Sequence, residues 1–173
     1  MGCPREDLAP ACGHLVDRST LAGLERLGGA SIWSPGVEEG LPSMGLSSVA
    51  HVAITVSDLA RSKEWYARVL GWAPVMEGEG SGVTFSVGAL PAGGPLVGLR
   101  EYDGQEDRSF DPTRVGLDHL AFAADSTEEL SDWEQRFTDN DVVFTPTQAM
   151  PYGHVLNFKD PDDIALEIWA PPG

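Results

Sequence analysis

His51-Val52-Ala53-Ile54-Thr55-Val56 and His119-Leu120-Ala121-Phe122-Ala123-Ala124 are two copies of one pattern, 68 residues apart (119 − 51). Each opens on a histidine, alternates small with bulky residues, and runs into an aspartate, Asp58 or Asp125, that announces a helix. Alternation with a period of two is the mark of a half-buried strand, and an aspartate before an apolar stripe at helical spacing is a start signal. A repeat of this length is a duplicated supersecondary unit. Working outward, the spacing predicts a strand over 49–56 and a helix over 59–70 with Trp65, Tyr66, Val69 and Leu70 inward. Gly71 stops that helix, and strands follow near 73–78, 83–87 and 96–102. After a charged link over 103–114, the second copy reads as a strand over 116–124 and a helix over 127–140. Its three further strands fall near 142–145, 154–158 and 165–169.

Strand alternation sorts these residues by face. His51, Ala53 and Thr55 share one side of the first strand, and Val52, Ile54 and Val56 share the other, which suits a helix packed against it. In the second copy His119, Ala121 and Ala123 oppose Leu120 and Phe122 in the same sense. Each histidine therefore points away from its helix and stands among small side chains, as in an open pocket. Glu167 alternates with Leu166 and Ile168, so it also faces away from the packed layer, and a carboxylate in an apolar strand needs a polar or charged partner. Either histidine taken alone reads equally well as an ordinary core or edge residue. Together with Glu167, the pair placed alike in two copies forms a candidate set of divalent-metal ligands with coordination positions left open.

Composition narrows the remaining classes. A net charge of −16 opposes nucleic acid and anionic membrane surfaces, which select basic faces. No apolar run nears the roughly 20 residues of a membrane span. Met1–Asp7 lacks the apolar stretch of a secretion signal, so the expected compartment is the cytoplasm. Residues 1–46 are rich in Gly, Pro and Ser and show no strand alternation. They are expected to form a loosely docked extension with at most one short helix, capped by Ser19, ahead of a domain over 47–173. The domain divides into modules at about 48–103 and 115–171. Cys3 and Cys12 are the only cysteines, and with His14 on the same extension they suggest no framework and no site.

His51 to Leu59, Arg61-Ser62, Trp65-Tyr66, Leu70-Gly71, Leu117 to Phe122, and Phe158-Lys159-Asp160-Pro161-Asp162 before Leu166-Glu167 resemble the vicinal oxygen chelate superfamily. That group includes glyoxalase I, extradiol dioxygenases, and fosfomycin- and bleomycin-resistance proteins. The resemblance spans about residues 48–171. It implies an α+β fold of paired βαβββ modules, forming a curved mixed sheet around a metal-binding cleft. It also implies His51, His119 and Glu167 as ligands of Fe2+, Mn2+, Ni2+ or Zn2+, and a substrate that chelates the ion through vicinal oxygens.

Two departures qualify the likeness. Glyoxalase I takes a fourth ligand from the first module; the 48-residue count from His119 to Glu167 (167 − 119) applied to His51 lands on Leu99, with Glu101 as the reserve. Extradiol and fosfomycin-resistance enzymes carry a tyrosine ten residues before the ligand glutamate, where this chain has Asn157. Asn157 can orient a substrate oxygen but cannot replace a phenol as proton relay. His154 alternates away from Asn157 in a regular strand, and only a bulge after Gly153 would turn it into a proton shuttle.

The expected function is that of a metal-dependent enzyme, an isomerase or lyase slightly ahead of a dioxygenase, with catalytic roles for Glu167, Asn157 and His154. The rival is a non-catalytic protein that sequesters a small molecule, for which Trp72, Phe85, Tyr102 and Tyr152 could cradle a cationic guest. Sheet edges and helix faces left to cover point to a homodimer, side by side or with exchanged copies.

Overall fold

β1 (His51–Thr55), α1 (Leu59–Leu70), β2 (Ala73–Gly80), β3 (Val83–Ala89) and β4 (Leu96–Tyr102) form the first module. The second consists of β5 (Leu120–Ala123), α2 (Thr127–Asp139), β6 (Phe144–Met150), β7 (Gly153–Lys159) and β8 (Ala165–Ala170). The computed structural model describes residues 46–105 and 109–172. The readings made for Cys3, Cys12, His14 and the Ser19-capped helix lie outside them.

Each module folds its four strands into one mixed sheet, ordered β1-β4-β3-β2 and β5-β8-β7-β6. β1 runs parallel to β4 and β5 parallel to β8, and the remaining pairs are antiparallel. This is the mixed α+β architecture that the duplicated pattern implies. The signals of α1 act as read, whereas α2 starts after Ser126, whose side chain makes no cap bond, and not from Asp125. Asp58 accepts the N–H of Arg61 at 2.9 Å, and Gly71 adopts φ 69° with its N–H returned to Ala67. Only glycine takes that left-handed cap without steric cost.

Strand bounds moved in the second module. β5 begins at Leu120 rather than 116, because Gly116 at φ 155° breaks the extended run. β6 extends from Phe144 to Met150, well past the expected end at 145. Its register slips between Thr145 and Gln148, around Pro146, which has no N–H to give to a ladder. The Thr147 N–H freed by the slip donates to Glu134 on α2 at 2.6 Å, and that bond holds the Glu134 carboxyl below its usual range.

One hydrophobic core serves both modules. It joins Ile54, Val56, Tyr66, Val69, Leu70, Leu99, Leu130, Phe137, Leu156, Phe158, Leu166 and Ile168. The α1 ring of Trp65 stacks on Phe158 of β7, with centroids 6.4 Å apart. Arg136 of α2 donates to the carbonyls of Val69 and Arg68 at the end of α1, at 2.6 and 2.9 Å. Both helices and the helix-facing side of both sheets are therefore buried together. Dispersion and apolar burial, about 25 cal/mol per Å², favour this arrangement over two separately closed modules. As a consequence, the other face of each sheet looks outward.

Candidate functional site

The outward faces carry the predicted ligands. Along β1, Ile54 is buried, while His51, Ala53 and Thr55 are exposed as the alternation requires. Along β8, Leu166, Ile168 and Ala170 are buried while Glu167 and Trp169 are only partly covered. Pairing then defines who stands beside whom. Glu167 is opposite Ala121 on β5 and opposite Asn157 on β7. Glu167 and Asn157 are therefore cross-strand neighbours on one face, and His119, exposed, lies just ahead of β5, two residues before Ala121.

Asp118 gives His119 its orientation. The Oδ1 of Asp118 lies 2.6 Å from Nδ1 of His119, close enough to accept a proton carried on that nitrogen. A carboxylate behind a ligating imidazole is the usual outer partner at metal sites. His119 is nearly half exposed, with 45% of its side chain accessible.

His51 occupies the matching position on the other sheet, on the outward face of the first module. Among the described residues, no three His, Cys, Asp or Glu side chains of one copy converge on a point that could hold an ion. The shared helical core explains why. It turns the His51 face and the Glu167 face out on separate sheets, so one chain presents two portions of the candidate set without joining them.

Three other readings change. Glu101 is withdrawn as a fourth ligand: its Oε2 accepts the N–H of Leu59 at 2.7 Å, on the helix side of β4, where it supports the start of α1. The place equivalent to Glu167 is Gly98 rather than Leu99. Gly98 pairs with Ala53, as Glu167 pairs with Ala121, and the first module is one residue shorter over this stretch (98 − 51 = 47, against 48). His154 is separated from Asn157 and Glu167. It pairs with Ala170 on the core-facing side, its Nδ1 lies 3.3 Å from the Thr127 hydroxyl, and the register slip of this hairpin falls in β6 instead. Trp72 is sealed in the core, its Nε1–H donating to the Val97 carbonyl at 3.0 Å, so it cannot meet a guest. A Cβ on Gly88 would lie 2.2 Å from that indole, which is why β3 has glycine there.

The Asp160-Pro161-Asp162 turn proved more consequential than its sequence suggested. Asp162 receives the Ser57 N–H at 2.9 Å, the Ser57 hydroxyl at 2.5 Å and Arg61 at 2.5 Å. It thereby ties the second module to the junction between β1 and α1. Asp160 is buried. Its Oδ1 accepts the N–H groups of Asp162 and Ile164, and its Oδ2 accepts the Tyr66 hydroxyl at 3.1 Å. Burial raises its carboxyl to about 6 despite those bonds, and burial likewise raises the Tyr66 phenol. A cleft of about 330 Å³ opens beside this tie, lined by Ala53, Thr55, Ser57, Phe110, Leu117 and Asp162. None of the three candidate ligands lines it.

The fold and sequence both have known counterparts. A crystal structure of a glyoxylase/bleomycin resistance protein/dioxygenase domain from Frankia sp. EAN1pec is 43% identical. It covers 74% of this chain and all of that one, with a TM-score of 0.70. A fosfomycin resistance protein, FosX, from Listeria monocytogenes shares the fold at 16% identity and a TM-score of 0.55, covering 72% of this chain and 93% of that one. That protein was crystallised, as a glutamate-to-glutamine mutant, in complex with Mn(II) and 1S,2S-dihydroxypropylphosphonic acid. The uncharacterized protein YwkD of Bacillus subtilis is 28% identical over 130 residues, 73% of this chain and 98% of that protein. The family model for the Glyoxalase/Bleomycin resistance protein/Dioxygenase superfamily matches residues 48–168, both modules with their outward-facing histidines, and this chain belongs to that superfamily.

Proposed function

We propose that this protein is a metal-dependent enzyme whose site is completed between two copies. His51 from one copy would join His119 and Glu167 from the other around a divalent ion. The observation that carries this reading is the outward placement of the two portions, on separate sheets backed by one shared core. The donor set fits such an ion. Two imidazoles and one carboxylate suit Fe2+, Mn2+, Ni2+ or Zn2+, and Asp118 stands beside the His119 Nδ1 as an outer carboxylate would. Exposed Met76, Tyr102 and Met150 lie on the same outward faces, apolar surface that a second copy would cover.

When bound, the ion would act as a Lewis acid toward a substrate that offers it two neighbouring oxygens. The protein's own contribution is positional. Asn157, directly across from Glu167, offers an amide that can donate to one substrate oxygen and accept from another. It has no ionisable proton to relay. His154, on the far side of β7, does not make good that lack. This favours isomerase or lyase chemistry, in which the carboxylate of Glu167 moves the proton, over dioxygenase chemistry. The sequestration reading retains Phe85 and Tyr102 on the outward face but has lost Trp72.

Titration of purified protein with Mn(II), followed by calorimetry, tests the proposal. One ion per chain, lost in His51→Ala, His119→Ala and Glu167→Ala alike, is the expected result. A protein that binds no divalent ion yet takes up an aromatic cation undiminished by His119→Ala overturns it in favour of sequestration.

A further inference from the structure

The strand register of the first module aligns its outward side chains in rows across the sheet. Ala53, Gly98, Val87 and Met76 form one row, and Thr55, Arg100, Phe85 and Gly78 form the next. His51, paired with Leu96, stands at the opposite end from Arg100, four residues or about 13 Å along the strands. Between them the floor is Ala53 and Gly98, too small to fill the space above. The Arg100 end is built. A Cβ on Gly78 would come within 2.8 Å of the Phe85 ring, so glycine lets that ring lie close against β2. The guanidinium carbon of Arg100 sits 5.8 Å from the centre of the same ring, and its Nη1 donates to the Tyr102 hydroxyl at 3.4 Å.

The charge pattern sets Arg100 apart. Arg61, Lys63, Arg114 and Lys159 each pair with a carboxylate, and Arg68 and Arg136 donate to backbone carbonyls. Among the described residues, Arg100 pairs with no carboxylate. In a chain with 27 Asp and Glu against 11 Lys and Arg, Arg100 is an outward-facing cation that no described carboxylate neutralises. The Phe85 ring and the Tyr102 hydroxyl flank the planar fork, and its remaining N–H groups can match a carboxylate bidentately. A dianionic phosphate would call for further cations, and the net charge of −16 disfavours it.

We infer that Arg100, over the Phe85 ring at the end of the face opposite His51, selects substrates that carry a carboxylate remote from their two chelating oxygens. The inference rests on the proposed metal site, because it places the chelating end at His51. Arg100 is a specificity residue here and takes no part in the bond changes.

Calorimetry on Mn(II)-loaded protein tests it with two catechol acids of different reach, 3,4-dihydroxybenzoate and 3-(3,4-dihydroxyphenyl)propionate, each against its own carboxamide. A charge-assisted pair is worth about 1.5–3 kcal/mol, so at least one acid should bind roughly 10- to 100-fold tighter than its amide. Arg100→Gln should abolish that preference and Arg100→Lys retain part of it, both with Mn(II) stoichiometry unchanged. In protein loaded with diamagnetic Zn(II) instead, the Arg100 Nε–H resonance should shift on adding the acid and stay in place on adding the amide. Equal binding of acid and amide at both lengths, in protein that holds its ion, overturns the inference and leaves the metal site standing. Failure of the wild-type protein to hold Mn(II) removes both together.

Discussion

Asp118 Oδ1 stands 2.6 Å from His119 Nδ1, one residue along the chain and on the exposed side of the second sheet. An exposed pair of neighbouring residues contributes little to folding, so this contact matters for what the opposite nitrogen can do. Asp118→Asn should leave the urea midpoint within about 0.5 kcal/mol of wild type and weaken Mn(II) binding roughly 10- to 100-fold. Equal Mn(II) affinity in the variant, measured by calorimetry, would remove Asp118 from the site.

A site shared between copies makes a prediction that a site within one chain does not. His51→Ala and Glu167→Ala should each bind no Mn(II). Co-refolded in equal amounts, half of the dimers are mixed and each mixed dimer has one intact site of two. Capacity should therefore recover to about one quarter of wild type. No recovery would place all three ligands on the same chain or refute the set.

Asp160 makes stability depend on pH. Burial raises its carboxyl from 3.8 to about 6 in the folded protein. Between about pH 4 and 6 the folded state therefore holds a proton that the unfolded state has released. Stability contributed by this group falls as pH rises across that window, by roughly 2–3 kcal/mol. In Asp160→Asn the amide oxygen can keep the N–H groups of Asp162 and Ile164, and the fall should vanish. Urea unfolding at several pH values checks this, and parallel profiles for the two proteins would contradict it.

Asp162 gathers three donors from the β1–α1 junction while keeping only 14% of its side chain exposed. Its loss removes the shared acceptor of the Ser57 N–H, the Ser57 hydroxyl and the Arg61 guanidinium, and with it the tie between the modules. Asp162→Ala should cost about 1–3 kcal/mol in urea unfolding with an unchanged m value. Arg61, 48% exposed, can rehydrate its partner's site, so Arg61→Ala should cost less than about 1 kcal/mol. The reverse ranking would show that the tie depends on charge rather than on the hydrogen bonds of Ser57.

Much of this was legible in the chain. The alternation at His51–Val56 and His119–Ala124 assigned the outward residues correctly, because period-two burial is a local property of a half-covered strand. The Asp58 and Gly71 signals bounded α1 for the same reason, since caps involve neighbours within one turn. Residue counting failed where it crossed loops. Gly98, and not Leu99, matches Glu167, since one residue fewer between strands shifts every later face. Trp72 looked like a ligand-facing aromatic until β3 supplied Gly88 to receive it, a pairing sixteen residues away (88 − 72) that no local pattern encodes.

By itself, then, the sequence determined the duplicated modules, the ends of α1 and the side of each strand on which His51 and Glu167 stand. These follow from backbone periodicity and from side chains acting within a few residues. Tertiary structure alone decided that both helices share a single core, through contacts such as Trp65 on Phe158 and Arg136 on the end of α1. Those contacts join residues 67 to 93 positions apart (136 − 69, 158 − 65), and they are selected by shape and buried area, which periodicity does not record. They leave the sheet faces that carry the candidate ligands turned outward.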